Sequence, residues 1–286
     1  MHLYKSVVKR DCCSGHRPKM HSSPLHDAMI EKFADIETPA GCMDAFVAHP
    51  EGAPRPAVVI LMDVWGLREE LFDVARWLAD AGYYCVLPNT YYRQGKVSFE
   101  YRNRKGEMPS IECLPWGIQE SVRSQTRALT DGMVVEDMQS VLDFLAREPV
   151  RPGAKGVLGY CTGGRQALRV AGHYPDEFRA TACLHGTRLV TDDADSPHRL
   201  ADRFKGEIYC GFAERDSLAP PSAIATLAAS FGNRSNVRYH FELHRGIERG
   251  YSLPDRDIYD EPATKRDWEK IFAMLRRQLV PSMIRA

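Results

Sequence analysis

The chain has 286 residues, of which 44% are hydrophobic and 27% are charged, and its 38 basic side chains balance 38 acidic ones. This balance excludes the long-range attraction of a strongly basic protein for nucleic acid or an anionic membrane. No apolar run reaches the roughly 18 residues that a membrane-spanning helix needs. We therefore expect a small-molecule substrate as the partner, with neither nucleic acid nor a membrane, while the oligomeric state stays open.

Eight cysteines are spread along the chain without CxxC spacing, and a protein of this length needs no disulfide framework. The N-terminal segment lacks the apolar stretch of a secretory signal, so we expect a cytoplasmic protein. Residues 1–28 could hold a metal site or form a disordered leader. We favour the leader and expect no metal, because the candidate ligands follow no common spacing; they are Cys12, Cys13, His16, His21 and His26.

Strand-like and helix-like segments alternate from residue 29 onwards. A hairpin is predicted first, and an amphipathic helix at Arg68–Ala81 then separates two buried strands and ends before Gly82. The predicted strands are 31–38, 43–49, 57–62, 83–88, 155–160, 179–185, 207–212 and 237–243, and the later helices are 134–147, 163–173, 221–231 and 259–279. These β-α units predict one α/β domain over residues 29–286, with a mostly parallel central sheet and helices on both faces.

A polar, irregular stretch from Tyr91 to Asp131 interrupts this alternation. A long insertion in an alternating fold is often a lid or a substrate-facing loop. A plain surface excursion fits the composition equally well, so both interpretations stay open.

The segment GYCTGG at residues 159–164 carries the clearest chemical signal. It lies between a predicted strand and a predicted helix, which is the setting that gives G-x-nucleophile-x-G its meaning. The tight turn would present Cys161 beside the positive end of the helix. That position favours a thiolate and stabilises a developing oxyanion.

From Ile30 to Leu279 the chain resembles the dienelactone hydrolase family, which has the α/β-hydrolase fold. The resemblance rests on five blocks in the family's order: LMDVWGL at 61–67, LPNTYYR at 87–93, GYCTGG at 159–164, LHGTRLVTDDADSPH at 184–198 and GFAERDSLAP at 211–220. It implies an enzyme that opens lactones or cleaves small esters with a Cys-His-Asp triad. Nothing in this chemistry calls for a cofactor.

The resemblance implies Cys161 as the nucleophile and Asp216 as the acidic member of the triad. It also implies that the backbone N–H groups of Val64 and Thr162 form the oxyanion hole. Two structural alternatives stay open: Cys161 could be a small residue that fits a tight turn, and Asp216 could cap the helix that follows Pro220.

Two further residues match family positions near the substrate. Asp63 falls where the family keeps an acidic residue beside the resting thiol, and Arg93 matches an arginine that holds a substrate carboxylate. The alternative for Arg93 is a surface residue paired with an acid.

The family's catalytic histidine should lie in the loop after the last strand, which here has the sequence HRGIERGY at 244–251. Arg249 occupies the position of that histidine. A guanidinium stays protonated and cannot act as a base, and a placed general base contributes roughly 10²–10⁴ in rate. Arg249 could instead favour the thiolate, bind a substrate carboxylate together with Arg93, or form an ion pair with Asp216 that holds the loop.

Two histidines are candidates for a substitute base. His185 ends the strand after the nucleophile helix and could either serve as the base or fix a loop. His244 precedes Arg249 by five residues and would need a rebuilt loop to reach inward.

Three functions fit the sequence. The leading one is a hydrolase of a small ester or lactone with a cysteine nucleophile, impaired by the loss of the triad histidine. The second is a non-hydrolytic family member that binds a carboxylated ligand. The third is a lyase or isomerase that needs no water-activating base.

Overall fold

We analysed a computed structural model of the chain, which describes residues 28–95, 97–99, 101–232 and 234–280. The leader predicted over residues 1–28 lies outside the described residues except for Ala28. No helix of the described part is long and apolar enough to span a membrane.

Eight strands form one sheet in the order β1-β2-β4-β3-β5-β6-β7-β8. The first two form the predicted hairpin, and pairing is antiparallel from β1 to β2 and from β2 to β4, while every other pair is parallel. The strands are β1 (Met29–Thr38), β2 (Gly41–Pro50), β3 (Ala57–Leu61), β4 (Tyr84–Pro88), β5 (Lys155–Tyr160), β6 (Phe178–Leu184), β7 (Gly206–Arg215) and β8 (Val237–Glu248). The predicted α/β class with a mostly parallel sheet is confirmed.

Helices cover both faces of this sheet, as predicted. The helices are α1 (Glu69–Asp80), α2 (Trp116–Ala128), α3 (Asp131–Leu145), α4 (Thr162–His173), α5 (Pro221–Gly232) and α6 (Glu261–Leu279). Leu71 of α1 and Ile271 of α6 belong to one buried apolar cluster. Val141, Leu168 and Leu227, from α3, α4 and α5, belong to the other. The sheet therefore separates two cores, and its strand ends are left to carry polar side chains.

The insertion from Tyr91 to Asp131 is more regular than the sequence predicted. It contains α2, whose one buried side chain is that of Val122. Helix α3 also begins three residues earlier than predicted, because the Thr130 hydroxyl accepts a hydrogen bond from the Met133 N–H over 3.2 Å and caps it. Further along, Met108 N donates to the Asp255 carbonyl over 2.7 Å, which ties the insertion to the loop after β8.

Candidate active site

Cys161 stands in a strained turn between β5 and α4, with φ 56° and ψ −116°. The turn is tight because glycines flank it. A Cβ on Gly159 would lie 2.1 Å from the Gly163 carbonyl oxygen, and one on Gly163 would lie 2.3 Å from the Met62 carbonyl oxygen. A side chain at either position would therefore displace backbone. The geometry is that of a nucleophile elbow, in which strain holds one side chain at the end of the sheet.

Arg249 contacts the sulfur of Cys161 directly. Its Nη2 donates a hydrogen bond to Sγ over 2.7 Å, and its Nε lies 3.7 Å from Oδ1 of Asp216. Asp216 directly follows β7 and Arg249 directly follows β8, so two neighbouring parallel strands deliver these residues to the same edge. Oδ1 of Asp216 also accepts from the Leu218 N–H over 2.9 Å. The guanidinium of Arg249 thus lies between the sulfur of Cys161 and the carboxylate of Asp216, the two residues that the family resemblance placed in the triad.

Burial and neighbouring charges shift the pKa values of Asp216 and Arg249. Burial raises the pKa of Asp216, and the charge of Arg249 together with the N–H groups of Leu218 and Ala219 offsets part of that rise. Burial alone would lower the pKa of Arg249, but the charges of Cys161 and Asp216 raise it above its ordinary value. Arg249 therefore stays cationic and cannot accept a proton from Cys161.

The two predicted oxyanion donors lie at the ends of adjacent strands. Val64 is in the turn after β3, and Thr162 is the first residue of α4, where a backbone N–H has no intrahelical acceptor. The Val64 carbonyl accepts a hydrogen bond from the Tyr91 hydroxyl over 3.2 Å, which fixes the orientation of that turn. The assignment of both N–H groups to an oxyanion hole stays a prediction.

Asp63 is committed to a buried ion-pair network. Its two oxygens accept from Arg68 over 2.7 and 3.0 Å, and Arg68 also donates to Asp255 over 2.6 Å. All three side chains are at most 3% exposed. Asp63 Oδ1 accepts from the Trp65 N–H as well, over 3.0 Å. The network joins the turn that carries Val64 to the loop that follows Arg249.

Arg93 is also paired with an acid. Its guanidinium donates to both oxygens of Asp137 on α3, over 2.5 and 2.8 Å, and the Tyr92 hydroxyl donates to the same carboxylate. The arginine is half-buried, and this pairing matches the alternative that the sequence left open for it.

His185 is buried and has left-handed backbone geometry, with φ 38°. Its Nε2 shares a hydrogen bond of 2.8 Å with the Ser252 hydroxyl, and its ring lies between those of Tyr160 and Tyr251. Burial lowers the pKa of His185 well below its ordinary value, and the charges of Arg249 and Arg256 lower it further. The contacts of His185 with Ser252 and Tyr251 join it to the loop after Arg249, and both predicted roles, a base or a loop-fixing residue, stay predictions.

His244 is buried, and its ring contacts residues of α6. Its Nε2 contacts Asp267 over 2.7 Å, and its Nδ1 lies 3.2 Å from Nη2 of Arg266. A guanidinium can only donate, so Nδ1 is the acceptor and Nε2 carries the proton. Asp267 also accepts from the hydroxyls of Tyr209 and Tyr251. This buried group anchors the loop that carries Arg249.

The sequence did not predict the apolar surroundings of the thiol or the role of Arg68. Cys161 belongs to a cluster with Val64, Trp65, Phe99, Met108 and Val122, against which Ile111 and Leu114 also pack. Five of these neighbours, Phe99, Met108, Ile111, Leu114 and Val122, lie in the insertion, so the insertion packs around the candidate nucleophile. In the sequence, the insertion is a polar segment with scattered apolar residues. This composition does not distinguish a segment that covers the active site from a surface loop.

Comparison with known proteins identifies the family. Residues 43–279 match the model of the dienelactone hydrolase family, and the chain therefore belongs to this family of hydrolases. Relatives named "Putative carboxymethylenebutenolidase" include one from Escherichia coli K12, 21% identical over 250 residues and 86% of both chains. Another, from Yersinia pestis, is 25% identical over 262 residues, covering 90% of this chain and 91% of the relative.

Solved structures of the family share the fold. The "Putative Dienelactone Hydrolase" of Klebsiella pneumoniae superposes with a TM-score of 0.73 at 21% identity, covering 86% of this chain and 98% of that one. The dienelactone hydrolase of Anabaena variabilis gives a TM-score of 0.59 at 15% identity, covering 88% and 99%.

Proposed function

We propose that this family member hydrolyses a small ester or lactone with Cys161 as its nucleophile and Arg249 in the place of the triad histidine. The observation that carries the proposal is the 2.7 Å contact between Arg249 Nη2 and Sγ at the strained elbow. A guanidinium donor favours the thiolate, which is the nucleophilic form of cysteine.

In the first step, the Sγ thiolate would add to the carbonyl carbon of the substrate. The negative charge that develops on the carbonyl oxygen would be stabilised by the N–H groups of Val64 and Thr162. Collapse of the intermediate then breaks the bond between the carbonyl carbon and the alcohol oxygen. The alcohol oxygen takes a proton from water, and the acyl group remains on Cys161 as a thioester.

In the second step, water has to attack that thioester and lose a proton. Within the described residues, Sγ accepts a hydrogen bond from Arg249, which cannot take a proton. His185 bonds to Ser252 and His244 bonds to Asp267 instead. We therefore expect the second step to limit turnover and the acylated enzyme to accumulate.

The cysteines support a reducing, cytoplasmic setting for this chemistry. All six described cysteines are free, including Cys183 and Cys210, which face each other across β6 and β7. Free thiols on adjacent strands fit a reducing compartment.

Initial rates of p-nitrophenyl acetate hydrolysis by the wild type and Cys161→Ala, prepared side by side, test the proposal. The wild type should be clearly faster. The exposed Cys42 and Cys113 are present in both proteins, so their reactivity cancels. Equal rates would contradict the proposal and favour a binding role without turnover.

A further inference from the structure

The thiol of Cys161 is surrounded by apolar side chains. The residue is 6% exposed, and it clusters with Trp65, Phe99 and Met108, which are at most 8% exposed. Leu114 packs against the same cluster from the insertion. An acyl group attached to Sγ would have to lie among these side chains.

The arginines that could hold a substrate carboxylate already have anionic partners. The positive charge of Arg249 is shared by Sγ and Asp216. The Asp216 carboxylate already matches the guanidinium charge, and the Nη2 donor is already directed at Sγ. A further carboxylate beside this pair would meet the negative charge of Asp216 and would lose its hydration in apolar surroundings.

Two other arginines, Arg68 and Arg93, are also paired with carboxylates. Arg68 is enclosed between Asp63 and Asp255, and Arg93 binds Asp137 through two hydrogen bonds.

Arg256 differs from these three arginines in its described contacts. Its guanidinium lies over the ring of Trp65, 5.5 Å from the centroid, and its Nε donates to the Met108 carbonyl over 3.2 Å. Both contacts hold the apolar wall in place. Arg256 lies against this wall, so it is the arginine that we test as a partner for a carboxylated substrate.

We propose that the site accepts an ester or lactone whose acyl group is uncharged and apolar, and that Met108 and Leu114 of the insertion determine this specificity. The inference rests on the proposed function, since it assigns the acyl group to Cys161. A single methylene in an apolar pocket changes specificity by about 10-fold or more.

Two matched esters test the proposal. p-Nitrophenyl butyrate and p-nitrophenyl hydrogen succinate differ in the end of the acyl chain, where a carboxylate replaces a methyl group. The wild type should show a kcat/KM for the butyrate at least about 10-fold higher. Leu114→Gln should shrink this ratio, and Leu243→Gln, the same change at an exposed site on β8, should leave it unchanged.

Equal or faster turnover of the succinate would overturn the proposal. Loss of that succinate turnover in Arg256→Gln would then assign the carboxylate to Arg256. An unchanged ratio in Leu114→Gln would also contradict the role given to the insertion.

A second measurement does not depend on turnover. Iodoacetamide and iodoacetate are a neutral and an anionic alkylating agent of the same size, and mass spectrometry reports their rates at Cys161. The rate with iodoacetamide divided by the rate with iodoacetate should be about 10-fold larger for Cys161 than for the free thiol of 2-mercaptoethanol. A ratio equal to or below that of the free thiol would overturn the proposal. If Cys161→Ala hydrolyses both esters as fast as the wild type, the proposed function has failed, while the alkylation ratio still decides this inference.

Discussion

Arg249 donates a hydrogen bond to Sγ of Cys161 over 2.7 Å, and we propose that it occupies the position of the family's triad histidine. An imidazole at this position could take the thiol proton and later return it. A guanidinium can only donate, so it favours the thiolate without acting as a base. In the proposed function, an arginine at this position therefore supports attack by the sulfur but provides no base for release of the acyl group.

Removing the guanidinium should slow the reaction of Cys161. We expect Arg249→Ala to lower the rate of iodoacetamide alkylation at neutral pH, since the variant lacks the cationic hydrogen-bond donor that contacts Sγ. Aryl-ester turnover should fall but stay measurable. Arg215→Ala, at an exposed arginine at the end of β7, is the matched control and should alkylate at the wild-type rate. Complete loss of turnover in Arg249→Ala would show that the arginine takes part in bond making.

Restoring a histidine should supply the missing base. In Arg249→His the imidazole would lie near the present Nε, which is 3.7 Å from Oδ1 of Asp216. We expect steady-state turnover of p-nitrophenyl acetate to rise, by up to about 10²–10⁴. Adding Asp216→Asn should remove most of the gain. A steady-state rate no higher than that of Arg249→Ala would argue against release as the limiting step.

The network of Asp63, Arg68 and Asp255 should be essential for stability. Arg68→Met leaves two buried carboxylates without a cation, and breaking such a pair costs about 3–5 kcal/mol. Urea unfolding measures this loss. Arg76→Met on α1 is the control, because its ion pairs lie at the surface, where each contributes about 0–1 kcal/mol. Equal effects of the two changes would contradict the account of Arg68.

Glu70 should make stability depend on pH. Burial raises the pKa of Glu70 from 4.5 to about 7, with Asp255 and Asp73 adding to the rise. Between these two pKa values the folded state therefore retains a proton that the unfolded chain releases. The contribution of protonated Glu70 to the free energy of unfolding is present in full below pH 4.5 and is lost as the pH rises through about 7.

The variant Glu70→Gln should remove this dependence. Urea unfolding should give Glu70→Gln a higher free energy of unfolding than the wild type. The difference should be small at pH 5 and largest at pH 8, where it is at most about 3 kcal/mol. Glu69→Gln, at the exposed neighbouring residue, should show no such trend. An advantage of equal size at both pH values would contradict the assignment.

Local patterns were sufficient to predict the sheet and the elbow. The apolar runs of β3 to β7 and the glycines around Cys161 are short-range signals, because each depends on residues within one strand or turn. Helix α2 was missed because a single buried side chain, Val122, gives no apolar period to detect.

Contacts between distant segments could not be predicted in this way. Arg68 and Asp255 are 187 residues apart, and Arg93 and Asp137 are 44 apart. Which acid an arginine meets depends on how the elements pack. The sequence predicted a substitution at Arg249, and this stays a prediction, whereas the contact of Arg249 with Sγ is seen only in the fold.

The most direct test of the central claim is rapid mixing of the enzyme with p-nitrophenyl acetate, followed by mass spectrometry of the quenched protein. We predict a burst of p-nitrophenol close to one equivalent, then a slow steady phase, with one acetyl group on the peptide that contains Cys161. Cys161→Ala should show neither the burst nor that adduct. A linear time course shared by both proteins, with no acetyl group on Cys161, would contradict the account.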